Sequence, residues 1–134
     1  MIRRLICCLA LLPAAPAAWT QTNMPPLKFD FTGKAATGYA QVLPTTSYDK
    51  DLGYGFDLGS KVSSIDRGVT GDQAFFFSVA LPEGNYNVTV TLGDRSGESS
   101  TAVRAESRRL MLQEVHTQRG EFATRMFKIG RAHV

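Results

Sequence analysis

The chain has 134 residues, 43% of them hydrophobic, with 15 Lys and Arg against 12 Asp and Glu and a formal net charge of +3. That balance, with no basic run longer than two residues, gives nucleic acid no electrostatic hold, so this class of partner is excluded. Both cysteines, Cys7 and Cys8, stand near the start, which leaves the rest of the chain without a disulfide, a thiolate metal site or a cysteine nucleophile.

The opening MIRRLICCLALLPAAPAAWTQ places Arg3 and Arg4 before an apolar run from Leu5 to Leu12 and then the small residues Ala15-Pro16-Ala17. This is the pattern of a secretory signal peptide over residues 1–17, so the chain is expected to be secreted or periplasmic. The apolar run falls short of the roughly 20 residues a spanning helix needs, and no other segment approaches that length, so no membrane partner is expected. Arg3 and Arg4 leave with the leader, which lowers the charge by two, from +3 to +1. About 117 residues then remain, enough for a single domain with its own core.

After a polar lead over 18–26, short strands are predicted at Leu27 to Phe31, Tyr39 to Val42 and Tyr54 to Asp57. The clearest signal is FFFSVALPEGNYNVTVTLGD, from Phe75 to Asp94. In its second half Tyr86, Val88, Val90 and Leu92 fall on one face, and Asn85, Asn87, Thr89 and Thr91 on the other. Leu81-Pro82-Glu83-Gly84-Asn85 has the composition of a turn, so this stretch is predicted to be a β-hairpin, with Gly93 to Gly97 as the next turn. Further strands follow at Thr101 to Ala105, Arg109 to Val115 and Glu121 to Phe127, although Arg104 to Leu112 also has helical propensity. Short strands separated by Gly, Pro, Asp and Ser predict an all-β fold, an antiparallel, jelly-roll-like β-sandwich.

Two groups of residues suggest binding. Tyr39, Tyr48, Tyr54 and Phe56 can offer flat apolar faces to sugar rings, and the more ordinary alternative is that they fill the core. Asp49, Asp51 and Asp57 can supply oxygen ligands to calcium, and the more ordinary alternative is that they hold turns through their own side chains. His116 by itself builds no zinc site.

The ordered blocks FDF (Phe29 to Phe31), GYAQV (Gly38 to Val42), GYGF (Gly53 to Phe56), FFFSVALPEGNYNVTVTLGD, RRLMLQEV (Arg108 to Val115) and GEFATR (Gly120 to Arg125) resemble the amino-terminal β-sandwich of bacterial rhamnogalacturonan acetylesterases. The resemblance implies a galactose-binding-like module over 27–127 that precedes an SGNH (GDSL-like) hydrolase domain acting on acetylated pectin. It departs from the pattern at Thr32, where glycine is expected after FDF. No catalytic residue carries over. The nearest string to a Gly-Asp-Ser nucleophile block is Gly93-Asp94-Arg95-Ser96, which arginine interrupts and which is expected in a hairpin turn. By this reading the chain itself has no esterase activity and no cofactor, and its partners are its own hydrolase domain and plant polysaccharide.

The last residues, IGRAHV, translate a common sequencing-adapter sequence, and Lys128 fits the preceding codon. Residues 128–134 are therefore expected not to be biological, the sandwich to be incomplete at its C-terminal end, and the reading frame to continue past Phe127. An unpaired edge and uncovered apolar surface are expected to make residues 18–127 poorly soluble alone.

Overall fold

The computed structural model describes residues 27–106 and 108–130; the leader, the polar lead and residues 131–134 lie outside the described residues. Among the described residues there are ten strands and no helix. The molecule is an all-β, jelly-roll-like sandwich with two regions of different construction.

The C-terminal region is one long antiparallel ribbon bent at a corner. Strands β7 (Tyr86–Gly93) and β8 (Ser99–Ala105) form one arm, and β9 (Arg109–Thr117) and β10 (Phe122–Ile129) the other. β7 pairs with β10 from Phe122↔Gly93 to Ile129↔Tyr86, and β8 pairs with β9 from Ser99↔Thr117 to Ala105↔Arg109. Both arms turn at the same level, where Gly120 N–H donates to the Asp94 carbonyl at 2.9 Å. A ribbon folded over in this way is the generating unit of a jelly roll. Gly93 is required at the bend: its φ is +140°, and a Cβ there would stand 2.3 Å from the Glu121 carbonyl oxygen.

The alternation expected along β7 is present, with Tyr86, Val88, Val90 and Leu92 half-buried and the residues between them exposed. Their ladder partners Ile129, Phe127, Arg125 and Ala123 share that face. On the other half of the ribbon, Ser99, Thr101 and Val103 lie opposite Thr117, Val115 and Leu112. Thr117 is buried and its hydroxyl meets that of Ser99 at 2.7 Å, so neither is left unsatisfied. The register slips twice between Thr101 and Arg104, which gives β9 extra residues and bends it.

Three sequence expectations are corrected here. The stretch from Phe75 to Asp94 holds a strand, a turn and a strand, but the two strands do not pair with each other. β6 (Phe77–Val79) pairs with β3 (Tyr54–Phe56), whereas β7 takes β10. The turn residues bend the chain, and the Tyr86 hydroxyl donates to the Pro82 carbonyl at 2.6 Å, yet pairing follows the faces. An eight-residue strand finds an eight-residue partner, and the phenylalanines of the short strand join the other aromatic rings. For the same reason Gly93 to Gly97 is the corner of the ribbon and not a hairpin turn. The helical alternative for Arg104 to Leu112 gives way to a strand, turn and strand, with Glu106 and Arg108 at positive φ and Ala105 paired to Arg109.

The N-terminal region has strands of two or three residues. β1 (Phe29–Asp30) and β2 (Ala40–Gln41) pair in parallel, an exception to the expected antiparallel scheme, and β4 (Ser63–Ile65) and β5 (Gly68–Thr70) form a small hairpin that the sequence reading passed over. Their ladders are too short to hold the region, so aromatic rings do much of the work. Phe77 lies 5.3 Å from Phe29, 5.2 Å from Phe31 and 5.4 Å from Phe56, centroid to centroid. Phe75 packs on Phe56 at 5.8 Å, and these contacts are tilted or edge-to-face, as ring quadrupoles prefer. Val42 and Phe56 are the buried large apolar residues among those described, and Val42 is fully enclosed.

The GYGF block is explained by a close approach of backbone. Gly55 has φ +148°, and a Cβ there would lie 2.4 Å from the Tyr48 nitrogen. Only glycine lets the segment around Ser47 come down on β3, where Tyr48 N–H donates to the Phe56 carbonyl and Phe56 N–H to that of Thr46.

Candidate functional site

The four aromatic residues singled out from sequence divide into two pairs. Phe56 is 3% exposed and enclosed by Phe31, Phe75 and Phe77, so its ring has no face to offer a ligand. Tyr54 is half-buried, with Phe29 against its ring at 4.9 Å. Tyr39 and Tyr48, by contrast, are 44% and 40% exposed. The Lys28 ammonium stands 5.4 Å from the centre of the Tyr39 ring, a cation–π contact that covers part of that ring. Tyr54 and Phe56 stand two apart in β3 and so point the same way, inward, whereas Tyr39 and Tyr48 lie outside the strands.

The aspartates are likewise dispersed. Asp49 Oδ1 accepts from the N–H of Asp51 at 2.8 Å and of Leu52 at 3.2 Å, and the Asp49 carbonyl accepts from Gly53 N–H, so this residue closes its own turn. Asp57 accepts from the Ser78 hydroxyl across the β3–β6 pair. Asp51 is exposed. Among the described residues no three His, Asp or Glu side chains gather as a metal-ligand set.

Asp30, in the FDF block, is the described group whose titration is clearly displaced. The Thr32 hydroxyl at 2.6 Å and the Thr32 N–H at 2.7 Å, helped by the Ala36 N–H at 3.2 Å, hold its carboxyl below the usual carboxylate range. This capped turn also accounts for the departure at Thr32. The positive φ of the turn falls on Gly33, at +85°, so position 32 needs no glycine and its hydroxyl caps the aspartate instead.

The Gly93-Asp94-Arg95-Ser96 string forms the ribbon corner. Asp94 Oδ1 accepts from Ser96 N–H at 2.7 Å, which commits the carboxylate to its own turn. His116 is exposed on β9, with Nε2 3.8 Å from a Glu114 oxygen, and Glu106 and Arg109 pair at 3.8 Å beside the ribbon tip. These are solvated contacts of a strand surface.

A sandwich with a folded ribbon, aromatic packing at its other side and two exposed tyrosines belongs to the class of galactose-binding-like β-sandwich domains. Residues 27–130 match the family described as beta-agarase/YXIM esterase-like, galactose-binding domain-like, and the chain belongs to that family. The uncharacterized esterase YxiM of Bacillus subtilis (strain 168) is 35% identical over 89 residues, covering 56% of this chain and 23% of that protein. The chain thus spans less than a quarter of that relative's length. No solved structure gave a significant match.

Proposed function

We propose that this chain is the non-catalytic lead domain of a secreted carbohydrate esterase that deacetylates rhamnogalacturonan or a similar pectic polysaccharide. The observation that carries the reading is the family match over residues 27–130, joined to a relative that is named an esterase and is more than four times as long as the matched part. In such an arrangement the sandwich packs on the hydrolase domain and extends its substrate cleft. Export through the leader at 1–17 brings it to the compartment where polymeric substrates are met.

The decisive experiment is to sequence the genomic DNA across the codons for Phe127 to Val134, express the longer gene product and measure acetate release from acetylated rhamnogalacturonan. Release by the long product and none by the 134-residue chain is the expected result. A stop codon directly after Val134, or a long product inactive on every acetylated pectin tested, overturns the proposal.

A second reading, an autonomous carbohydrate-binding module, is favoured by the exposure of Tyr39 and Tyr48. Under that reading the chain binds sugar without any hydrolase domain.

A further inference from the structure

Strand β6 is paired on one side and open on the other. Its partner is β3, in the register Tyr54↔Val79, Gly55↔Ser78 and Phe56↔Phe77. In an antiparallel ladder, opposite residues alternate between pairs that exchange backbone hydrogen bonds and pairs that do not. Asp57 N–H donates to the Phe76 carbonyl at 2.9 Å and Ala80 N–H to that of Gly53 at 2.7 Å, so the even-numbered positions along β6 face β3. Phe56 fits the same phase, because its own N–H and carbonyl are bonded to Thr46 and Tyr48 on the far side of β3. The N–H and carbonyl groups of Phe77 and Val79 therefore point away from the ladder, and no backbone partner meets them among the described residues.

This edge is built to be covered. From Phe75 to Leu81 it reads FFFSVAL, with neither the charge nor the proline that guards an exposed edge. Phe77 and Val79 are half-buried, and the Phe77 ring stands among Phe29, Phe31 and Phe56. Peptide groups left unpaired beside such a cluster are costly, and one further strand satisfies all four.

The course of the chain indicates the occupant. β10 is laddered to β7 from Phe122↔Gly93, and by Ile129↔Tyr86 it has reached the turn that joins β6 to β7. There Tyr86, Ile129 and Gly130 line one concavity with Leu81 and Pro82, which lie just past the end of β6. The ladder up to Phe127 sets this direction, whichever residues the longer gene encodes from 128 on. A strand that starts beside Leu81 and follows the open edge meets Val79 first and Phe77 second, so it runs antiparallel to β6. At about 3.4 Å per residue, roughly five residues cover that edge. The matched part is 23% of the relative YxiM, so on the esterase reading ample chain follows β10.

We propose that the open edge of β6 is completed by a strand of the longer gene product that follows β10, added antiparallel to β6 through the backbone of Phe77 and Val79. That such a chain exists rests on the esterase reading above; the choice of edge and direction does not.

The test is amide exchange in the longer gene product, followed by NMR. Ala80, whose N–H is bonded within the β3–β6 ladder, is the internal reference. The Phe77 and Val79 amides are expected to exchange within about tenfold of Ala80 at every protein concentration. Val79→Pro removes one edge N–H without touching a β3–β6 bond, and should speed exchange at Phe77 by about tenfold or more. If that variant does not fold, the unsubstituted protein carries the comparison by itself. Exchange at Phe77 and Val79 outside that range, protection that disappears on dilution as pairing with a second copy would give, or cross-strand contacts in a parallel register overturns the proposal. So does unchanged exchange at Phe77 in a folded Val79→Pro. Acetate release reports separately on the esterase reading. Release without protection removes the added strand and leaves the esterase; protection without release on any acetylated pectin removes the esterase and leaves the strand.

Discussion

The two regions of this sandwich are held together by different forces. From β7 to β10 the strands run seven to nine residues, and backbone ladders with one half-buried face organise them. From β1 to β6 no strand exceeds three residues, and six aromatic rings with a few capped turns take the place of ladders. A ladder is cooperative and tolerant, because each side chain contributes a small share. A ring cluster concentrates stability in a few side chains, so single truncations there should be costly. This is also the region that carries the exposed Tyr39 and Tyr48.

The largest expected effect is that of Phe56→Ala, which empties the centre of the cluster and should cost about 3–5 kcal/mol. Near-UV circular dichroism should collapse, and amide exchange should accelerate more in β3 and β6 than in β7 and β10. Equal acceleration in both regions would show that the sandwich opens as one unit and that the contrast is only descriptive.

Next comes Gly93→Ala at the ribbon corner. Its positive φ and the contact with the Glu121 carbonyl should cost about 1–3 kcal/mol, and here β7 and β10 should lose protection first. A neutral result in urea denaturation would mean that the corner relaxes freely.

A smaller and pH-dependent effect is expected from Asp30. Its folded carboxyl titrates below the ordinary value of 3.8, so the stabilisation from its caps is complete above that value and disappears as pH falls through the folded pKa. Asp30→Asn should lower stability at neutral pH and flatten the acid limb of the stability curve. An unchanged acid limb would assign the acid sensitivity to other carboxylates.

The smallest effect should come from Arg95→Ala. Arg95 reaches Asp66 at 3.7 Å and so links the ribbon corner to the β4–β5 turn, but both side chains are more than half exposed. Such a pair is worth about 0–1 kcal/mol and weakens with salt. A shift in melting temperature above a few degrees would show that this bridge couples the two regions more strongly than its exposure implies.

Much of the ribbon was legible in the sequence because its side chains alternate without interruption over a long run, as in Tyr86, Val88, Val90 and Leu92. Partner choice was not legible there. The turn residues Pro82 and Gly84 signal that the chain bends, and they carry no information on which strand lies alongside afterwards. The β4–β5 hairpin was missed because Ser63, Ser64, Gly68 and Thr70 give no apolar period.

The sequence alone determined the all-β class, the inner face of β7 and the places where glycine interrupts a strand, because these depend on local alternation and backbone freedom. Only the tertiary structure decided that Phe56 turns inward while Tyr48 stays exposed, and that β7 takes β10 in place of β6. Each of these depends on contacts between residues distant in sequence, which no local pattern encodes.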